Sequence, residues 1–204
     1  MKRVGIICTG ISNTGSIYNV IKYLGYEPVL LNGDNDLINL KKIILPGVGH
    51  FDSGMRALKE KGFISKLKDF AKNKENFILG ICLGMQMLCN SSEEGENEGL
   101  GLINADVMHF KSISKNETIY PHMGWNEIEI KKPNLLLNNE SVYRFYFVHS
   151  YCVIPRISDI TIATCNYGVK FCAVFGKDNI YGVQFHPEKS HKFGLSLIEN
   201  FLNI

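Results

Sequence analysis

Over residues 4–89 short apolar runs alternate with segments of helical periodicity, and this alternation constrains the fold more than any other feature of the chain. Val4 to Cys8 reads as a buried strand and Gly10 to Gly15 as a small-residue turn. Ile17, Val20, Ile21 and Leu24 then recur at i, i+3, i+4 and i+7, the apolar face of a helix. Glu27 to Leu31 and Lys42 to Leu45 predict two more strands, and 51–60 and 63–73 two helices. Phe77 to Ile81 predicts a fourth strand, with a helix over Leu83 to Cys89 starting immediately after it. Strands separated by helices pair in parallel, and the helices must cover both faces of the sheet they make.

From Ala105 the pattern changes. Ala105 to Phe110, Glu127 to Ile130, Arg144 to Val148, Ile160 to Cys165, Val169 to Phe175 and Asn179 to Phe185 predict strands in quick succession. Antiparallel additions to the sheet, or a second small sheet, are expected there. His191 to Leu202 closes the chain as an amphipathic helix, apolar at Leu195, Ile198, Phe201 and Leu202. Ser91 to Glu98, with four Glu and no apolar residue, reads as a solvated loop. No linker or repeat divides the 204 residues. The expectation is one α/β domain over 1–204, three-layered, with a mixed, mostly parallel central sheet.

Composition excludes several classes of function. The chain is 45% hydrophobic and 21% charged, which is globular and not disordered. A net charge of +2 leaves no electrostatic footprint for nucleic acid or an anionic membrane. No apolar run approaches the ~20 residues that cross a bilayer. Met1-Lys2-Arg3 leads into too short an apolar stretch for a signal peptide, so a cytoplasmic location is expected. The cysteines are Cys8, Cys82, Cys89, Cys152, Cys165 and Cys172, with no Cys-x-x-Cys pair and no ligand spacing among the histidines. Neither a metal nor another cofactor is expected.

One cysteine stands apart. Gly80-Ile81-Cys82-Leu83-Gly84 lies where a predicted strand turns into a predicted helix, the thiol counterpart of a nucleophile elbow. The glycines would allow a sharp turn, and the helix N-terminus would favour a thiolate at Cys82. A cysteine nucleophile needs a base, and the base needs an orienter. His186-Pro187-Glu188 directly follows an apolar strand and offers both; in an extended segment their side chains reach one side. Taken alone, each motif also has a plain structural explanation; together they make a set. Pro46-Gly47-Val48-Gly49 closes the third strand either as a simple turn or as a flexible backbone segment supplying oxyanion donors. It lacks the Lys and Ser/Thr of a phosphate loop. Trp125, the only tryptophan, reads on composition as half-buried packing, and His149 as a satisfied core histidine.

Gly80 to Gln86 and Phe185 to Ser190 resemble the two signatures of class I glutamine amidotransferases. Pro46 to Gly49, Pro121-His122-Met123-Gly124-Trp125-Asn126 and Val148-His149-Ser150-Tyr151 are similar to the HisH type, the glutaminase subunits of imidazole glycerol phosphate synthases. The resemblance runs essentially end to end. It implies that Cys82 attacks the glutamine amide, His186 shuttles protons and Glu188 orients His186. It further implies that Gln86, His149, Ser150 and Tyr151 hold the substrate, while Gly47, Val48, Gly49 and Leu83 form the oxyanion hole. Ammonia would pass to a (β/α)8-barrel cyclase subunit, contacted through Asn13, His122, Trp125, Asn126 and Lys189, for histidine biosynthesis.

The chain also departs from the family. Cys8-Thr9-Gly10-Ile11-Ser12-Asn13 stands where the family usually has Asp-Tyr-Gly before Gly-Asn. Gly15 to Asn19 and Ser190 to Gly194 resemble paralogues that supply ammonia for amidation of surface-polysaccharide sugars. That is the alternative destination for the same chemistry. An inactive scaffold is the non-enzymatic alternative, and it would have no need of Cys82, His186 and Glu188 together.

Overall fold

Parallel pairing follows from the crossovers that the sequence imposes. The computed structural model describes residues 2–10, 12–33, 37, 39–114, 120–137 and 142–204; Ile11, within the expected Gly10 to Gly15 turn, lies outside them. In chain order the first elements are β1 (Arg3–Ile7), α1 (Thr14–Tyr23), β2 (Glu27–Leu31), β3 (Lys42–Gly47), α2 (Phe51–Glu60), α3 (Phe63–Lys72), β4 (Phe77–Cys82) and α4 (Leu83–Met87). Then come β5 (Ser91–Ser92), β6 (Ala105–His109), α5 (Phe110–Ile113), β7 (His122–Ile130), β8 (Tyr143–His149) and β9 (Tyr151–Pro155). The last are β10 (Thr161–Tyr167), β11 (Val169–Lys177), β12 (Ile180–Val183) and α6 (His191–Asn203).

The described strands form one sheet in the order β2-β1-β3-β4-β12-β11-β10-β7-β8. The first five strands of this order pair in parallel and the remaining pairings along it are antiparallel. β9 branches from β11 and carries β6, which in turn carries β5. Successive side chains of a strand point to opposite faces, and the core obeys this. Ile6, Ile44 and Leu79 pack with Ile17 and Ile21 of α1 and Leu197 and Phe201 of α6. Their neighbours Ile7, Ile43 and Ile78 pack on the other face with Phe51 and Leu58 of α2 and Phe63 and Leu67 of α3. Two helical layers thus sandwich the sheet. No described helix is long and apolar enough to cross a membrane.

β4 passes into α4 without a loop, and the backbone shows how. Cys82 itself takes the positive φ, at φ 54° and ψ −111°. The flanking glycines serve a different purpose from the flexibility expected of them: they allow close approach. A methyl group on Gly84 would run into the Leu45 carbonyl of β3. One on Gly80 would lie 2.7 Å from both the Gly84 oxygen and the Met85 nitrogen.

Some expectations are corrected. The helix expected to reach Cys89 ends at Met87, because the chain turns away so that Asn90 N–H can pair with the Ala105 carbonyl. The strand β9 escapes the apolar-run reading because only Ser150 separates it from β8. The segment Ser91 to Glu98 is not simply solvated: Glu93 accepts from the His109 N–H at 2.8 Å and Glu94 from the Phe51 N–H at 2.8 Å. Asp52 in turn accepts from the N–H groups of Glu96 and Asn97.

The packing of α4 predicts a sharp contrast between two glycines. Gly84→Ala should cost at least about 3 kcal/mol in denaturant unfolding, because backbone, not a flexible side chain, occupies the space. Gly15→Ala, with nothing within 4 Å of the added methyl, should be neutral or stabilising by up to about 1 kcal/mol. Equal effects at the two sites would show that α4 does not rest on β3.

Candidate active site

The C-terminal ends of β4 and β12 lie side by side, with Val183 paired to Ile81, and each chain then delivers a reactive group. β4 ends on Cys82, which is buried at the start of α4. The N–H groups of a helix's first turn have no intrahelical partner, so the Leu83 amide is available beside the sulfur. β12 continues through Gln184 and Phe185 to His186, whose N–H is held by the Tyr146 carbonyl at 2.9 Å. Pro187–Lys189 forms a 3-10 turn rather than the extended segment expected, yet it still brings Glu188 back onto the base. Glu188 Oε1 lies 2.8 Å from His186 Nδ1, and both side chains are 2% exposed. Ser190 locks the turn by donating to the His186 carbonyl at 2.6 Å and accepting from the Tyr146 N–H at 3.0 Å.

A carboxylate at Nδ1 makes that nitrogen the donor and leaves Nε2 for the thiol. His186 Nε2 is buried with no hydrogen bond of ordinary geometry. Burial disfavours the imidazolium, but Cys82 and then the Glu188 carboxylate outweigh it and push His186 up to about 10. His186 is therefore held in its protonated form beside the Cys82 sulfur. The other cysteines offer no rival. Burial pushes the thiols of Cys89 and Cys152 up, and those of Cys165 and Cys172 up to about 12. No disulfide joins any of the six.

Cys82 and His186 open into a cavity of about 180 Å³ whose wall includes Val48, Gly49, Leu83, Gln86, His149, Ser150 and Tyr151. The residues expected to bind substrate and oxyanion are thus gathered at one place, with Gly47 just behind at the end of β3. Gly49 has φ +88° and Val48 is 39% exposed, so Val48 and Gly49 form an exposed rim of the cavity. Gln86 is engaged within the wall: its Nε2 donates to the Tyr151 carbonyl at 3.0 Å and to Gln184 Oε1 at 3.1 Å. Gln184 Nε2 reaches the Cys82 sulfur at 3.9 Å. Sequence reasoning missed Glu94, which also lines the cavity. Its only signal was acidity, shared with three neighbouring glutamates. Among the described residues no cluster of His, Cys, Asp and Glu is fit to hold a metal ion.

The residues expected at a partner surface divide. Trp125 is 38% exposed and stacks on His191 at 5.3 Å and 4°. Lys189 is exposed, with its ammonium 5.8 Å from the Tyr146 ring centroid. Asn13 is exposed and caps α1 through Ser16, and Asn126 is half-buried. His122 is a correction. It is 2% exposed, stacked between Phe147 at 4.6 Å and Tyr167 at 4.0 Å, so its side chain offers nothing to a surface. It instead contacts His149, and burial holds His122 down at about 4. Burial, with smaller effects from His122 and His186, holds His149 at about 3 despite its bond to the Tyr151 carbonyl.

The glutamine amidotransferase class-I family profile matches residues 6–204. Imidazole glycerol phosphate synthase subunit HisH 2 of Methanococcus maripaludis is 48% identical over 200 residues, covering 98% of each chain. The HisH 2 subunit of Pseudomonas aeruginosa is 42% identical over 201 residues, again 98% of each. A HisH subunit from Desulfitobacterium hafniense is 46% identical over 201 residues, 97% of this chain and 92% of its own. Among solved structures, PurLQS from Thermotoga maritima aligns with a TM-score of 0.76 at 20% identity, covering 100% of this chain and 99% of its own. A crystal structure titled glutamine amidotransferase aligns at 0.76 and 18%, covering 98% and 97%. At those identities the structural matches speak for the fold alone.

The two neutral histidines predict an acid sensitivity. Both bind a proton less readily folded than unfolded, so their contribution is complete above the ordinary value of about 6.5 and is lost as pH falls from there towards 4 and 3. His186 works oppositely, favouring the fold below about 6.5 and losing that contribution as pH rises towards 10. Denaturant midpoints should therefore fall between pH 6.5 and 4, less steeply in His122→Gln. A flat profile across that window would contradict the burial of a neutral pair.

Proposed function

The chain belongs to the class I glutamine amidotransferase family, and on that premise we propose that it is the glutaminase subunit of an imidazole glycerol phosphate synthase. It hydrolyses L-glutamine to glutamate and ammonia and hands the ammonia to a (β/α)8-barrel cyclase subunit in histidine biosynthesis. The observation that carries this reading is Cys82 on its positive-φ turn beside His186, which Glu188 orients. An inactive scaffold has no use for that arrangement, and the relatives cited are all named for the synthase rather than for sugar amidation.

The geometry suits each step. The Cys82 thiolate attacks the side-chain amide carbon, and the carbonyl oxygen becomes an oxyanion that the Leu83 N–H and the Gly47 to Gly49 segment can receive. His186, protonated at the outset, gives its Nε2 proton to the leaving nitrogen, so ammonia departs and a thioester remains. His186 then takes a proton from water, the hydroxide attacks the thioester, and glutamate leaves as the thiolate returns. Glu94 places a carboxylate in the cavity wall, complementary to the substrate's α-ammonium. Ser150 and Tyr151 line the same cavity as Cys82. The exposed Val48, Trp125 and Lys189 are the groups this reading offers to the barrel subunit.

Cys82→Ala should lower glutaminase turnover of the complex by about 10⁴-fold or more, with folding and partner binding retained. His186→Ala should match it, and Glu188→Ala should cost less, because Glu188 orients the base without touching substrate. Substantial turnover in purified Cys82→Ala would sink the assignment of the nucleophile. The ammonia acceptor is tested separately, by supplying this chain with its barrel subunit to a histidine auxotroph lacking its own glutaminase subunit. Growth without histidine is expected; failure with an active, partner-bound glutaminase would redirect the ammonia to a sugar acceptor.

A further inference from the structure

A file of polar groups that the thioester chemistry does not use runs from strand β7 to the wall of the active-site cavity. Its directions are set at both ends by groups with only one possible role. At the inner end the Tyr151 carbonyl can only accept, so its 2.7 Å contact makes His149 Nδ1 the donor. With His149 neutral, its Nε2 is an acceptor, and the 3.2 Å contact there is donated by His122 Nδ1. His122 Nε2 is left to accept from Asn126 Nδ2 at 3.4 Å. At the outer end the Asn126 amide is oriented independently. Its Oδ1 accepts from the Glu127 N–H at 2.8 Å, and its Nδ2 also donates to the Asn166 carbonyl at 3.0 Å. Both ends demand the same direction, from β7 inward.

The inner end touches groups that shape the pocket. The Tyr151 carbonyl also accepts from Gln86, and Tyr151, Ser150 and Gln86 all line the cavity. Without the N–H of His122, the buried His149 Nε2 keeps no donor, and the ring that donates to the Tyr151 carbonyl loses its second anchor. The Ser150 to Tyr151 segment of the cavity wall is then held less firmly. The outer end is adjacent in sequence to Trp125, which is exposed beside it on β7.

We propose that Asn126 and His122 are positioning residues that act through His149, a one-way hydrogen-bond chain that holds the glutamine pocket in the register set by strand β7. What the pocket binds rests on the glutaminase reading; the chain itself does not. His122→Phe keeps a ring in the stack between Phe147 and Tyr167 but removes the donor. His122→Gln restores an amide donor towards His149 and an acceptor towards Asn126. In the complex with the barrel subunit, His122→Phe should raise the KM for glutamine about tenfold, one hydrogen bond's worth, with a smaller change in kcat. His122→Gln should return it close to the wild-type value. Nitrogen-15 NMR of the labelled wild-type chain should find His149 protonated on Nδ1, the less common tautomer of a free neutral histidine. An unchanged KM in His122→Phe, or His149 protonated on Nε2, would overturn the proposal; if His122→Phe does not fold, the wild-type tautomer decides. A wild-type complex that hydrolyses no glutamine would overturn the glutaminase reading on which the pocket's role depends.

Discussion

Gly84 lies so close to the Leu45 carbonyl that only a hydrogen fits between them, and the placement of Cys82 depends on that contact. Drawing α4 down onto β3 leaves no length for a loop after β4, so the chain must reverse within one residue. That residue is Cys82, and its positive φ costs about 1–3 kcal/mol for a side chain with a Cβ. The burial that follows offsets the strain: Leu83, Met85 and Met87 are each at most 2% exposed. Full burial of such a side chain contributes about 1.5–3 kcal/mol. The strained turn is therefore held by the packing of α4 on β3 and the core beneath it.

Two histidines on one small cavity wall have been driven in opposite directions. His186 is pushed up to about 10 and His149 down to about 3. Both are buried, so burial alone does not separate them; their partners do. His186 faces a thiol and a carboxylate, which gain from its positive charge. His149 faces a carbonyl that one N–H satisfies and a second histidine that is itself kept neutral. Titratable groups pushed apart by their surroundings mark a division of labour. One carries the extra proton of an imidazolium, and the other stays neutral, its single N–H holding backbone in place.

The framework was largely legible. β2 runs from Glu27 to Leu31 as the apolar pattern predicts, and α2 and α6 begin and end within a residue of expectation. The helices among them bury one stripe of apolar side chains, which is what periodicity detects, and β2 shows as a short apolar run between polar residues. The grouping of Cys82, His186 and Glu188 was legible because each sits at the end of such an element. What escaped depends on contacts distant in sequence. Nothing local distinguishes Glu94 from Glu93, Glu96 or Glu98; it reaches the cavity because α2 presents the Phe51 N–H to it. His122 was expected on the surface with Trp125, although period-2 alternation puts residues 122 and 125 on opposite faces of a strand. The motif grouped them by sequence, whereas β7 separates them by geometry, into a buried histidine and an exposed tryptophan.

That separation bears on where partner choice and catalysis meet. The thioester chemistry is completed inside the cavity and carries no information about what receives the ammonia. Information of that kind must enter from the surface, and two routes lead from it to the cavity. One is β7, where Trp125 is followed directly by Asn126 and the buried histidine chain. The other is the segment after the base. Ser190, which clamps the His186 carbonyl and the Tyr146 N–H, is followed by His191, at φ 46° and stacked face to face on Trp125. A single exposed ring thus rests on the strand that leads to His149 and on the segment that carries His186. His191, in the Ser190 to Gly194 segment that resembles the polysaccharide paralogues, therefore lies where a change at the surface reaches the segment that carries His186 without altering any reacting atom.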